Sequence, residues 1–524
     1  MKVKQLNWWR IAFLILIGLG IYFRLSNLEE KVYWIDEVHT SLRAAGYTEP
    51  QFIQETPLGE VLNLAFLQNY QQLASETSFW QSVQTIATSE HSPLYYFLTY
   101  FSMDGISSSI QVTRGLAAVL SLFSLPLIYW LSWQLFASSL IAEISVALVA
   151  ISPFQIIYAQ EAREYSFLVV TIILANITFL WAMRSQTIRS WFSYSGAIAL
   201  GLYVHPLVGL VSLGHGIYAL FSQKWRFNAT IFFYAFYALL GLILFIPWIL
   251  VFIFNDDGMA GWVTEETPFP VLFQRWLINA AGSIYDLQIH YQDIIFDIKR
   301  FQDIELSYDQ PGVYLLLAVL LLIIYSFYFL YRQGTEQQWW FIITLIGSTA
   351  LALAIPDLVT GGQRSTISRY AIACHIGVQL TLAYCLGVQI RSGVRGWRLM
   401  LVATLTVSLI STLIMHNSST WWNKYSSYYN QEVATIINQS DKPLVLGNVS
   451  RIIRTTSLSH HLKPETKFMF FDNQTSINIP SNYSNVYVFR PLANLVKGLE
   501  SQNYQVTPIH QKGKLWQVKG ITNN

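Results

Sequence analysis

Charge is what this sequence has least of. Asp, Glu, Lys and Arg make up 12% of 524 residues, against about 25% in a soluble domain. With 53% hydrophobic residues beside it, that deficit excludes a water-soluble fold and leaves a polytopic membrane protein. An excess of one sign is missing too. The formal net charge is +2, which makes no case for nucleic acid as a partner. Cys374 and Cys385 are the two cysteines and fall inside one apolar run, which argues against a disulfide framework or a CxxC metal site, and they read as buried packing. No small-residue cleavage site follows the first apolar run, which opens with Lys2, Lys4 and Arg10; it reads as a retained anchor, not a signal peptide. Internal repeats are absent as well. What the chain has in quantity is 18 Trp and 30 Tyr, the rings that collect where helices leave the bilayer.

A helix needs about 20 largely apolar residues to cross the hydrocarbon core. Such runs predict eleven spans, near 8–25, 112–134, 138–158, 162–184, 190–206, 207–222, 228–254, 312–332, 338–356, 367–390 and 397–416. The two flanking His205-Pro206 are short enough for a tilted or partly re-entrant hairpin. Basic residues in short loops stay cytoplasmic. With the N-terminus inside, Arg184 and Arg189, Lys224 and Arg226, Arg332, and Arg391, Arg395 and Arg398 all fall in inner loops. The long loops 26–111 and 255–311 and everything after 416 then lie outside, in the pattern of a multi-pass plasma (inner) membrane protein. Within the first loop, Glu60–Asn69 and Pro93–Phe101 read as helices lying in the interface plane. From Trp421 the composition turns polar, with a predicted helix through Glu432–Ile437 and strands at Pro443–Leu446 and Val486–Phe489. The expected organisation is a transmembrane domain over 1–416 and a small extracytoplasmic α/β domain over 417–524, the latter without a motif of chemistry.

Four ionisable clusters map to the outer face: Asp36-Glu37 with His39; Glu90-His91-Ser92-Pro93-Leu94-Tyr95; Gln160-Glu161-Ala162-Arg163-Glu164-Tyr165; and Gly361-Gly362-Gln363-Arg364 through Ser368-Arg369-Tyr370. Carboxylates in an outer loop are often merely solvated, arginines near headgroups often snorkel, and Glu161–Arg163 or Arg163–Glu164 can be a structural ion pair. Ionisable groups in a connection as short as 160–165, however, are costly at the apolar boundary unless paired or functional. Transfer of a sugar from a lipid phosphate to a hydroxyl needs this inventory. A carboxylate takes the acceptor proton, and a guanidinium, permanently charged and forked, holds the leaving phosphate. Because the donor's lipid tail fixes its phosphate at the membrane face, both must sit there.

At these residues the chain resembles the GT-C class of membrane glycosyltransferases, the group of protein O-mannosyltransferases, lipid A aminoarabinose transferases and bacterial Rgt-type enzymes. The resemblance rests on Asp36-Glu37 in the first outer loop, on His91-Ser92-Pro93-Leu94-Tyr95, similar to that group's H-P-P-L-Y with Ser92 where proline is frequent, and on Ser152-Pro153 running into Gln160-Glu161-Ala162-Arg163-x-Tyr165. It covers roughly 8–225; beyond that only Arg369-Tyr370 fits. The resemblance implies a polyprenyl-phosphate sugar donor, a lipid, polysaccharide or protein acceptor, an extracytoplasmic site and inversion by direct displacement. It implies Asp36 as general base with Glu37 assisting, Glu161 as second acid with Glu164 directly beside Arg163 as the competing one, and Arg163, Arg364 and Arg369 on the donor phosphate. His91, Tyr165 and Tyr370 shape the pocket. No cofactor is certain. Asp36, Glu37 and Glu161 can furnish hard oxygen ligands to a divalent ion, yet arginines can neutralise the phosphate instead, and the reading leans to no obligatory metal. The rival classes are a secondary transporter, which the near-absence of charge within the spans disfavours, and a catalytically inactive protein of the same fold.

Overall fold

The structure, a computed structural model, describes residues 8–254, 261–286, 310–472, 474–483 and 485–520. Most of the expected loop 255–311, together with Lys2 and Lys4, lies outside the described residues. The chain forms two compact units: Met1–Asn27, Ser89–Tyr95 and Arg114–Asn417 in the first, and Leu28–Thr88, Tyr96–Thr113 and Ser418–Asn524 in the second. The long first loop thus joins the C-terminal segment in one unit.

The first unit is helical. All eleven expected spans are helices, and among the described residues seven are long and apolar enough to cross a membrane: Ile110–Phe136, Tyr165–Ser185, Ala229–Phe254, Pro311–Gln333, Glu336–Thr360, Ser368–Arg391 and Arg395–His416. An eighth is the pair Ser139–Ala150 and Pro153–Ala159, bent by 55°. The remaining three, Trp8–Leu25, Ile188–Val204 and Val208–Ser222, have 18, 17 and 15 residues. At 1.5 Å per residue the shortest rises only about 22 Å, less than the hydrocarbon core of about 30 Å. Pro206 separates the last two: its ring disfavours helix in the residue before it, and His205 is extended at φ −162° and ψ 135°.

The bend within the third expected span has an identifiable cause. Pro153 opens its helix at the first turn, where a missing N–H costs nothing, but the carbonyls before it lose their helical donors. In an apolar phase each must find another. Ser408 Oγ and Thr412 Oγ1 donate to Ile151 O at 3.0 and 2.7 Å, and Arg24 donates to Ala150 O and Val149 O at 2.6 and 3.0 Å. Gly20 lets the first helix come this close, since a Cβ there would lie 2.3 Å from Ala150 O.

The second unit is α/β. Its sheet runs β1-β3-β2-β4-β6-β5, with β1 at Leu62–Asn63, β2 at Pro443–Asn448, β3 at Lys467–Phe471, β4 at Asn485–Phe489, β5 at Tyr504–His510 and β6 at Leu515–Gly520. β2 pairs parallel with both β3 and β4, and β6 is antiparallel to β4 and β5. All six residues of β2 are buried, as expected of a central strand covered on both faces. The predicted helix at 432–437 is Asn430–Asn438. Of the expected helix Glu60–Asn69 only Leu64–Asn69 is helical, because Leu62 and Asn63 pair with Phe468 and Lys467 and the Asn63 side chain then caps the helix by accepting from Phe66 N at 2.9 Å. The expected helix at 93–101 runs Leu94–Gly105.

Candidate active site

In the first unit, the turn 160–164 links the helices Pro153–Ala159 and Tyr165–Ser185, and its side chains turn inward. Gln160 Nε2 donates to Phe23 O and Ser26 O at 2.6 and 2.8 Å, satisfying carbonyls that the end of the first helix leaves open. Glu161 is fully buried, and Arg163 and Glu164 are 2% exposed each. Burial at this level is tolerable only for paired charge: Arg163 Nη2 lies 3.1 Å from Glu164 Oε1. The same carboxylate oxygen is 4.0 Å from His91 Nδ1, whereas Glu164 Oε2, also buried, has no hydrogen-bond partner among the described residues.

His91 is held by its backbone. Trp248 Nε1 donates to His91 O at 2.9 Å, and the neighbouring Ser92 Oγ donates to Leu202 O at 2.7 Å. Ser92 therefore anchors the segment with a hydrogen bond that proline could not make. Tyr165 collects the cations: the guanidinium carbons of Arg369 and Arg163 lie 5.3 and 5.7 Å from its ring centre, within cation–π reach. Arg369 also lies 5.9 Å from the Tyr370 ring. The His205 ring stands 6.1 Å from Tyr165 and 6.3 Å from Tyr370.

Thus His91, Arg163, Glu164, Tyr165, Arg369 and Tyr370 meet in one cluster drawn from three distant segments, buried at Arg163, Glu164, Tyr165 and Arg369 and partly exposed at His91 and Tyr370, with Glu161 two residues from Arg163. His205, read from the sequence only as part of a helix break, is its further member. Arg364 is engaged elsewhere. Its Nη1 is 3.1 Å from Asp357 Oδ1, and Asp357 Oδ2 accepts from Ser365 N and Ser365 Oγ at 2.7 Å each. Asp357 lies inside an apolar run in the sequence, and an acid in such a run was the available signal.

In the second unit, Asp36 and Glu37 open the helix Ile35–Ala44, where acidic side chains are favoured by the helix dipole. The two are not equivalent. Glu37 is fully buried, Asp36 half-buried. Glu37 Oε2 accepts from Trp34 N at 3.3 Å, reaching back to close the helix start, and forms an ion pair of 2.8 Å with Lys424 Nζ, itself 1% exposed. Lys424 Nζ also stands 6.0 Å from the Trp34 ring. His39 Nε2 is 3.7 Å from Glu49 Oε2. Burial raises the Glu49 carboxyl, against the opposing pull of Arg43 and Arg454. Among the described residues no three His, Cys, Asp or Glu side chains gather as a metal-holding group.

Residues 90–251 match the dolichyl-phosphate-mannose-protein mannosyltransferase family. None of the curated proteins matches the sequence. Among solved structures, ArnT from Cupriavidus metallidurans bound to undecaprenyl phosphate is similar over 99% of both chains, at 11% identity and a TM-score of 0.51. The apo state of that protein is similar over 97% of both chains at 10% identity and a TM-score of 0.50. The apo oligosaccharyltransferase of Archaeoglobus fulgidus, at 12% identity and a TM-score of 0.46, covers 87% of this chain and 64% of its own. The chain is a multi-pass membrane protein that shares the GT-C fold of ArnT, and its residues 90–251 are similar to the mannosyltransferase family.

Proposed function

We propose that the protein is an integral-membrane glycosyltransferase that moves a sugar from a polyprenyl-phosphate donor to an extracytoplasmic hydroxyl, inverting the anomeric carbon. What carries this reading is the gathering of His91, Arg163, Glu164, Tyr165, Arg369 and Tyr370, a cation-rich aromatic cluster suited to a phosphate ester. The ArnT structure was solved with undecaprenyl phosphate, and the same class of carrier is proposed here.

Asp36 takes the acceptor proton. The acceptor oxygen then attacks the anomeric carbon from the face opposite the phosphate, and the glycosidic C–O bond to that phosphate breaks. Asp36 suits the base role because Glu37, its neighbour, is committed to Lys424 and the helix start; Glu37 fixes the helix that presents Asp36. Arg163 and Arg369 meet the charge that grows on the departing polyprenyl phosphate, and such stabilisation by preplaced cations is a large term in transfer reactions. Glu164 orients Arg163 and His91, Glu161 and Tyr370 position sugar and acceptor, and Tyr165 offers its ring to both guanidinium groups. Arg364, its charge met by Asp357, shapes the turn that leads to Arg369. The sugar, hexose or pentose, and the acceptor type are left to the assay.

The test is release of free carrier phosphate from a panel of polyprenyl-phosphate sugars by the purified protein. Asp36→Asn is expected to lower turnover by at least about a hundredfold, the scale of a lost general base, with the protein still folded in detergent. Full activity in that variant removes Asp36 from the base role, and no turnover of any donor by the wild type favours an inactive protein of this fold.

A further inference from the structure

The C-terminal part of the second unit carries a second concentration of charge that the reaction above does not use. β2 is followed by Arg451 and, in the helix Ile452–Ser459, by Arg454. β4 ends at Phe489 and is followed at once by Arg490, and β6 is preceded by Lys514. β2 and β4 are parallel neighbours, and Phe489 pairs with Leu515, so all four cations stand at one end of the sheet, the carboxyl end of its parallel strands. The chain leaves β2 for β3 on one side and then returns to β4 on the other. The winding direction therefore reverses between β2 and β4, and in an open α/β sheet ligands bind outside the carboxyl ends of the strands at such a point.

Chemistry at that crevice is one-sided. Among the described residues no carboxylate forms an ion pair with any of the four. Arg490 donates to Ser426 O, while its Nε is buried without a hydrogen-bond partner among the described residues. Arg490 and Lys514 sit on left-handed backbone, at φ 51° and 54°, and are tied together by Arg490 N donating to Lys514 O at 2.7 Å. Long charged side chains are thus placed where glycine would be the unstrained choice. The four also feel one another. Burial, helped by Arg454 and Arg451, pushes Arg490 down to about 9, and Lys514 and Arg454 are lowered by burial and by their cationic neighbours. Glu49 and, less strongly, Asp36 act on Arg454 in the opposite sense; they are not among the groups that act on Arg490 or Lys514.

We propose that the carboxyl-end crevice between β2 and β4, built by Arg451, Arg454, Arg490 and Lys514, binds an oxyanion, the phosphate or carboxylate group of the acceptor. Four cations, none of them in an ion pair among the described residues, gathered at a switch point and beside the start of the helix Ile452–Ser459, form an anion receptor. Naming the anion as the acceptor's rests on the reading of Asp36 as base; the anion site itself does not. The enzyme then selects acidic saccharides or phospholipid-linked acceptors over neutral ones.

Hydrogen exchange of the full-length protein in a neutral detergent tests this, with inorganic phosphate against chloride at equal ionic strength. Phosphate is expected to slow exchange across 448–454 and 489–491 at millimolar concentration, and Arg451→Gln with Lys514→Gln, both exposed positions, is expected to weaken that response at least tenfold. Asp36→Asn is expected to keep it, which separates failure of this site from failure of the transferase reading. Absence of protection in the wild type, or protection unchanged in the double variant, overturns the site. Slowed exchange at the same segments on adding sugar-free polyprenyl phosphate, with none on adding an acidic acceptor saccharide, reassigns the anion to the donor and overturns the acceptor assignment.

Discussion

Glu37 and Lys424 show what a pair of adjacent acids conceals. The sequence marks Asp36-Glu37 as a unit, and only the fold separates them into a half-exposed acid and one locked in a buried ion pair. Lys424 lies 387 residues further on, in an aromatic stretch that carries no motif, so no local pattern announces it. Removing one member of a buried pair strands the other, at a cost of about 3–5 kcal/mol, whereas replacing both is often near neutral. Lys424→Met is therefore expected to destabilise the protein by that amount, and Lys424→Met with Glu37→Gln to recover most of it. Thermal unfolding in detergent reads both. Equal loss in the single and double variants would mean that the side chains act through packing and not as a charge pair. The same comparison of scale applies to Arg364: its basic character was legible, and its engagement by Asp357, from the preceding helix, was not.

At the scale of elements, long apolar runs made the helices legible, because about 20 such residues have no other stable place than a bilayer-spanning helix. Their interruptions were less so. The run 138–158 reads as one span, yet it is two helices meeting at Ile151-Ser152. Ser152-Pro153 hints at the break, but the donors that make it affordable come from Ser408 and Thr412, on the helix Arg395–His416. Strands behaved in the opposite way. The buried β2 and β4 stand out as short apolar runs, while β5, with a mixed pattern of burial, and the two-residue β1 depend on partners for their existence. If hydroxyls hold the bend, Ser408→Ala with Thr412→Val leaves Ile151 O unsatisfied and is expected to cost about 2 kcal/mol, within the 1–3 kcal/mol of an orphaned buried acceptor. Thr412→Ser alone is expected to stay within about 0.5 kcal/mol of wild type, since its hydroxyl is kept. A double variant as stable as wild type would show that the bend needs no such support.

For the whole molecule, the order of the motifs was legible and the folding back of residues 28–88 onto the sheet of residues 443–520 was not, since β1 pairs with a strand some 400 residues away. What remains open to direct test is sidedness, and it turns on parity. Trp8–Leu25, Ile188–Val204 and Val208–Ser222 are the three expected spans outside the seven long helices and the bent pair. If all three cross together with the eight longer or bent spans, the count is eleven, and the two ends of the chain lie on opposite faces. If the pair around Pro206 enters and leaves by the same face the count is nine, still odd, so the re-entrant alternative does not change the outcome. The proposed orientation rests on basic residues: Arg184 and Arg332 lie in the last turns of their helices and Arg391 at the end of its own, and short loops rich in such residues are retained in the cytoplasm. A C-terminal reporter that works only after export is therefore expected to be active, and one that works only in the cytoplasm to be silent. The reverse pattern would place Asp36 and the anion crevice on the cytoplasmic face, away from any exported acceptor, and would overturn the transferase reading at its geometric root.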